Sequence, residues 1–227
     1  MSEFFEPPPA PDEPSELKPR PPWLNAPEGT LPGIVALELV LARNDRAAVC
    51  VTHAAAYSTG FGVELVTITL AGNLNPNMFG PISFRRLQAL HAGEGVPPEL
   101  LRFGIEFADG SKATNTASLF PGPPGDEPPP GPVLRPRGGR GGGASWHQQI
   151  WVWPLPPPGP LAFVCEWPAA GVPLTRHEID AQLILDAAGR AQEIFRDDEL
   201  GEPAVSGPGS VHARIVPVQP RKPREGS

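Results

Sequence analysis

The sequence predicts a mainly β chain: an antiparallel β-sandwich-like single domain with one C-terminal amphipathic helix and disordered Pro/Gly-rich segments. Three observations carry this. From Gly33 onward, β-branched and aliphatic runs follow one another between turn residues. In LRFGIEFADG, Leu101, Phe103, Ile105 and Phe107 alternate with Arg102, Gly104, Glu106 and Ala108, the period of a half-buried strand. Past Thr175 the apolar period changes from two to that of a helix.

GIVALELVLAR, AAVCVTHAAAY and FGVELVTITLAG read as three consecutive strands, the first two separated by the turn Asn44-Asp45. Residues 72 to 99 read as a turn-rich excursion in which SFRRLQALH could form a short helix. Asp109-Gly110 supplies a hairpin turn after LRFGIEFA, because a tight two-residue connection needs positive φ. SWHQQIWVWPL and PLAFVCEW give two more strands, joined by the stiff segment PLPPPGP. From Thr175, TRHE offers a capping box with Glu178, and Ile179, Leu183, Ile184, Ala187, Ala188, Ala191, Ile194 and Phe195 fall on one stripe. A helix from about residue 175 to 196 is therefore expected to pack this stripe on a sheet.

With 34 Pro and 25 Gly among 227 residues, composition approaches that of low-complexity sequence, but the prolines are clustered. Residues 1–29 are expected to be a Pro-rich disordered tail, because they cannot bury enough surface to offset their ordering entropy. Trp23 and Leu24, within PPWLNAP, are the exception and could lie extended across the folded domain. Residues 121–144 hold eight prolines by 136 and then GGRGGGA, which reads as a disordered loop within a single β-rich domain spanning 30–196. Residues 197–227 read as a second disordered tail, with a weak extended patch at VHARIVPV.

A net charge of −7 argues against nucleic acid and anionic membranes as partners, since both repel an acidic chain. The segment MSEFFEPPPAPDEP has acidic residues and prolines where a secretion signal needs basic and apolar ones. A cytoplasmic location is expected. Cys50 and Cys165 each lie in an apolar run, and in a reducing compartment they would be buried free thiols. Basic charge carried mostly by Arg, together with abundant Ala, Gly and Pro, suggests a high-GC bacterial genome.

The sequence contains no nucleophile elbow, phosphate loop, H-E-x-x-H, paired C-x-x-C or dinucleotide fingerprint. A site assembled from distant positions remains open to His53, His91, His147, His177 and His212. His147 with Glu166, or His177 with Glu178, lacks metal-ligand spacing, so neither a metal nor a cofactor is expected. Trp151 and Trp153 share a strand face with His147 and Gln149, while Trp146, Ile150 and Val152 take the other. The two tryptophans either fill the core or form an exposed aromatic platform for a sugar, peptide or partner, with Gln149 and His147 as its polar edge. PLPPPGP resembles a ligand of aromatic-grooved domains and RPRGGRGGG an RNA-associated tract. Composition favours a stiff connector and a flexible linker instead.

PPWL, LELVLARNDRAAV, AYSTGFGVEL, ELLRFGIEFADGSKATN and above all WVWPLPPPGPLAFVCEWPAAGVPLTRHEIDA resemble a family of actinobacterial proteins with no assigned function. The resemblance covers nearly all of residues 21 to 196. It implies bacterial origin and one folded unit, and carries over no site. The leading expectation is a non-catalytic module that binds a partner protein or small ligand through His147, Gln149, Trp151 and Trp153. The alternative is a hydrolase-like enzyme using His with Cys or Asp brought together by folding.

Overall fold

A computed structural model describes residues 21–70, 96–117 and 127–196. The three aliphatic runs after Gly33 form β2 (Gly33–Arg43), β3 (Ala47–Ala56) and β4 (Phe61–Thr69), preceded by the two-residue strand β1 (Thr30–Leu31). Asn44 closes the β2–β3 turn by accepting from the backbone N–H groups of Arg46 and Ala47. The alternating segment forms β5 (Arg102–Glu106), and the Asp109-Gly110 turn returns the chain as β6 (Lys112–Thr114). Gly110 has φ 82°, the positive value this turn requires.

The remaining strands among the described residues are β7 (Val133–Gly142), β8 (Ser145–Trp153), β9 (Pro160–Trp167), β10 (Val172–Asp180) and β11 (Gln192–Glu193), with one α-helix there, α1 (Gln182–Ala188), and a 3-10 turn at Pro168–Ala170. A five-stranded sheet has the order β2-β3-β4-β8-β7, and a four-stranded sheet the order β10-β9-β5-β6. Every pairing in both is antiparallel. Strands β1 and β11 form a small third sheet. The link between β8 and β9 carries the chain from one large sheet to the other and begins with a cis Trp153-Pro154 bond.

Alternate residues of the two large sheets meet in one apolar cluster. Val51, Phe61, Leu65, Ile150 and Val152 come from the first sheet, and Phe103, Ile105, Phe163 and Trp167 from the second. The Phe103 and Phe163 rings stack at 6.2 Å between centroids. On the β2/β10 side the sheets are joined by polar contacts. His177 Nε2 lies 2.9 Å from the Leu41 carbonyl, and Asn44 Nδ2 donates to the carbonyls of Ala170 and Gly171. No helix among the described residues is long and apolar enough to cross a membrane.

Four expectations need correction. Residues 172–180 are strand β10, and α1 is only seven residues long. Thr175 does not cap a helix: its hydroxyl donates to the Cys165 carbonyl on the neighbouring strand. Pairing with β9 over seven positions outweighs the helical period there. Of the expected stripe, Ile184 and Ala187 are buried, while Leu183, Ile194 and Phe195 are exposed.

Second, residues 133–142, expected within a disordered loop, form β7 against β8. The glycines of this tract make room for Trp146. A Cβ at Gly139 would stand 2.6 Å from the indole, and one at Gly141 would stand 2.4 Å from the Ser145 carbonyl. Gln148, 2% exposed, donates its amide to the carbonyls of Arg137 and Gly138, fixing the register shift between Pro136 and Gly139.

Third, residues 21–29 were assigned to the tail with only Trp23 and Leu24 expected to dock, and Pro22, Trp23 and Leu24 do contact the five-stranded sheet. Fourth, both cysteines are free, but only Cys165 is buried, and Cys50 is half-buried. Expectations for residues 1–20, the helix within 81–91, residues 118–126 and the C-terminal tail lie outside the described residues.

Candidate functional site

Strand β8 puts Gln148, Ile150 and Val152 toward the core, so the odd-numbered His147, Gln149, Trp151 and Trp153 all stand on the opposite, outer face. The antiparallel register sets Gln149 beside Glu64 and His147 beside Val66 on β4. On the other flank it sets Trp151 beside Arg135 and His147 beside Arg140 on β7. All four expected site residues therefore share one surface.

Trp151 is neither a core residue nor an exposed platform. It is 2% exposed because residues 21–28 cross the outer face above it. Its indole Nε1 donates to the Pro22 carbonyl at 3.0 Å, and Tyr57 meets its ring edge-on at 5.7 Å. Gly60 leaves space for that ring, since a Cβ there would stand 2.8 Å from Cζ2. Trp153 is half-buried against Trp23, with centroids 5.9 Å apart and planes at 64°, the edge-on geometry favoured by aromatic quadrupoles. Arg137 Nη1 reaches the Leu24 carbonyl at 3.4 Å. The segment is thus a strap, docked through a turn in which Leu24 N–H donates to the Pro21 carbonyl, not through the extended form expected.

Between strap and sheet lies a cavity of about 260 Å³. Its walls include Asn25 and Glu28 of the strap, and His53, Tyr57, Gln149 and Trp151 of the sheet region. Glu64 contributes to the floor and is 7% exposed. A carboxylate at that depth requires partners, and they are present. Oε2 accepts from Thr52 Oγ1 at 2.9 Å, and Oε1 accepts from Arg140 Nη2 at 2.5 Å. His53 Nδ1 stands 3.7 Å from Oε2 and His147 Nδ1 3.5 Å from Oε1. Burial alone would raise the Glu64 carboxyl. The Thr52 hydroxyl, the Arg140 charge and the two imidazoles outweigh it and hold the group below the ordinary value.

The Thr52 hydroxyl also lies 3.0 Å from His53 Nδ1. Because its single proton goes to Glu64, the imidazole must be the donor in that contact. His53 therefore carries its proton on Nδ1, and in the neutral ring Nε2 keeps its lone pair. Histidines 53 and 147 face a glutamate, not the cysteine or aspartate expected of a hydrolase-like site.

Glu64, Thr52, Tyr57, Arg137 and Arg140 were not among the expected site residues, and His53 was expected only as one of five histidines open to a dispersed catalytic site. Glu64 had one legible signal, a lone carboxylate in the apolar run FGVELVTIT. The arginines had none, since their tract has the composition of a linker. A second groove, about 460 Å³, lies on the outer face of the four-stranded sheet. Although larger, it is the weaker candidate: no carboxylate lining it is buried as Glu64 is, and its charges are taken up in partly exposed pairs, Arg102 with Glu166 at 2.5 Å and Glu106 with Lys112 and the adjacent Arg176. Comparison of the chain with family models, curated proteins and solved structures gives no match.

Proposed function

We propose that the two large sheets form a β-sandwich-like binding module, and that its ligand is a small polar molecule held in the cavity beneath the strap. The observation that carries this reading is the nearly buried Glu64 carboxyl at the floor of a cavity walled by Trp151, Tyr57, His53 and Gln149. An apolar wall with a few convergent polar groups and a perturbed carboxylate is the usual composition of a ligand site. The free thiols of Cys50 and Cys165 support a reducing, cytoplasmic setting.

One observation favours catalysis as a second reading: Thr52 orients His53 toward Glu64, as a general base is oriented. The described lining of the cavity offers Tyr57 as its sole hydroxyl, however, and neither cysteine lines it. Binding is the better reading.

The test is an NMR screen of small polar fragments, read on the Trp151 indole N–H and on the backbone of Gln149. Binders should shift both resonances in wild type and lose affinity in Glu64→Gln. A screen without binders, or one whose binders shift only the Arg102–Leu174 groove, would overturn the assignment.

A further inference from the structure

The strap is held to the sheet by side chains reading a short peptide. Trp151 donates to the Pro22 carbonyl, Arg137 donates to the Leu24 carbonyl, and Trp153 and Trp23 meet in an edge-to-face pair. Two backbone carbonyls and one aromatic side chain are thus recognised within the turn Pro21–Leu24. Every residue from 21 to 27 remains only half-buried, while Trp151 beneath them is 2% exposed. The deep part of this contact belongs to the sheet and the shallow part to the strap. Pro21 and Pro22 fix their own φ, so such a segment loses little entropy on docking.

We propose that this aromatic face is a recognition site for proline–tryptophan turns of a partner protein, and that Pro21–Leu24 occupies it in cis as a built-in competitor. The inference goes beyond the small-ligand reading and stands without it, because it rests on the contacts of the roof and not on the contents of the cavity. Residues 25–29 tether the competitor directly to β1. A short tether gives an effective concentration in the millimolar range, so a partner must bind well to displace the strap. Trp23 is the part of the strap that a partner's tryptophan would replace.

The probe is a synthetic peptide copying residues 21–27, titrated by calorimetry into the full chain. Trp23→Ala should bind it, with the Trp151 indole resonance moving on addition. Wild type should bind at least about tenfold more weakly, because the strap competes from its tether. A peptide with alanine in place of its tryptophan should bind neither protein. Adding Trp151→Phe to Trp23→Ala keeps a ring but removes the donor, and should weaken binding about fivefold, the worth of one hydrogen bond.

Failure of Trp23→Ala to take up the peptide while keeping wild-type circular dichroism would overturn the proposal, as would equal binding by wild type and Trp23→Ala. A wild-type dimer that Trp23→Ala abolishes would instead identify the occupant as the strap of a second copy. Fragment binding beneath an intact strap is measured separately, so either reading can fail alone.

Discussion

Glu64 on β4 and Arg140 on β7 meet across the intervening strand β8, at 2.5 Å and 76 residues apart in sequence. This contact ties an apparent linker to the centre of the sheet, and it gives an unequal pair of substitutions. Arg140→Ala leaves a nearly buried carboxylate short of its main cation and should cost about 1–3 kcal/mol. Arg135→Ala should be close to neutral. Urea unfolding of the two variants measures the difference, and equal midpoints would show that the pair contributes nothing.

Acid should weaken the fold through the same carboxylate. Glu64 is held below the ordinary value of 4.5 in the folded chain, so the unfolded chain takes up its proton at a higher pH. Stability from this group is therefore complete above the unfolded value and is lost as pH falls through the folded one. Glu106 and Asp109 are displaced in the same direction, so the difference between wild type and Glu64→Gln isolates Glu64. The stability gap between these two proteins should narrow on acidification below 4.5. A gap independent of pH would contradict the assigned ionisation.

Helix α1 anchors through Ile184 and Ala187, both fully buried, while Leu183 is 45% exposed. Ile184→Ala should cost about 2–4 kcal/mol by loss of packing and a residual cavity. Leu183→Ala should change stability by less than about 1 kcal/mol. Thermal melts of both decide whether the buried edge of the helix is correctly assigned.

In β7, Gly141→Ala would press a methyl group onto the Ser145 carbonyl and the Trp146 backbone, whereas a Cβ at Gly142 meets nothing within 4 Å. The first should destabilise by about 1–3 kcal/mol through overpacking, and the second should be silent. Matched losses in the two variants would mean that β7 does not pair with β8 as described.

Thiol labelling should resolve two rates. Burial raises both thiols above their ordinary value, and Cys165 is 1% exposed whereas Cys50 is half-buried on β3. Cys50 should react first with a small aromatic disulfide at mildly alkaline pH, and Cys165 only after denaturation. Simultaneous labelling in the native state would count against the buried position of Cys165.

Local sequence determined the strands whose neighbours are close along the chain. The runs around β2, β3 and β4, and the alternation of Leu101 to Phe107 with its Asp109-Gly110 turn, carry period and turn chemistry within a dozen residues. The same period put His147, Gln149, Trp151 and Trp153 on one face, because successive side chains of a strand alternate whatever lies beyond it. Only the tertiary structure decided what covers that face and what joins it. The strap sits about 130 residues before Trp151 in the chain, and Arg140 acquires its role from β8, which converts a glycine-rich tract into an edge strand. Thr175 to Asp180 became part of β10 for the same reason. A helical period can be satisfied within the segment, but six pairings with β9 bond that backbone in a way no local pattern records.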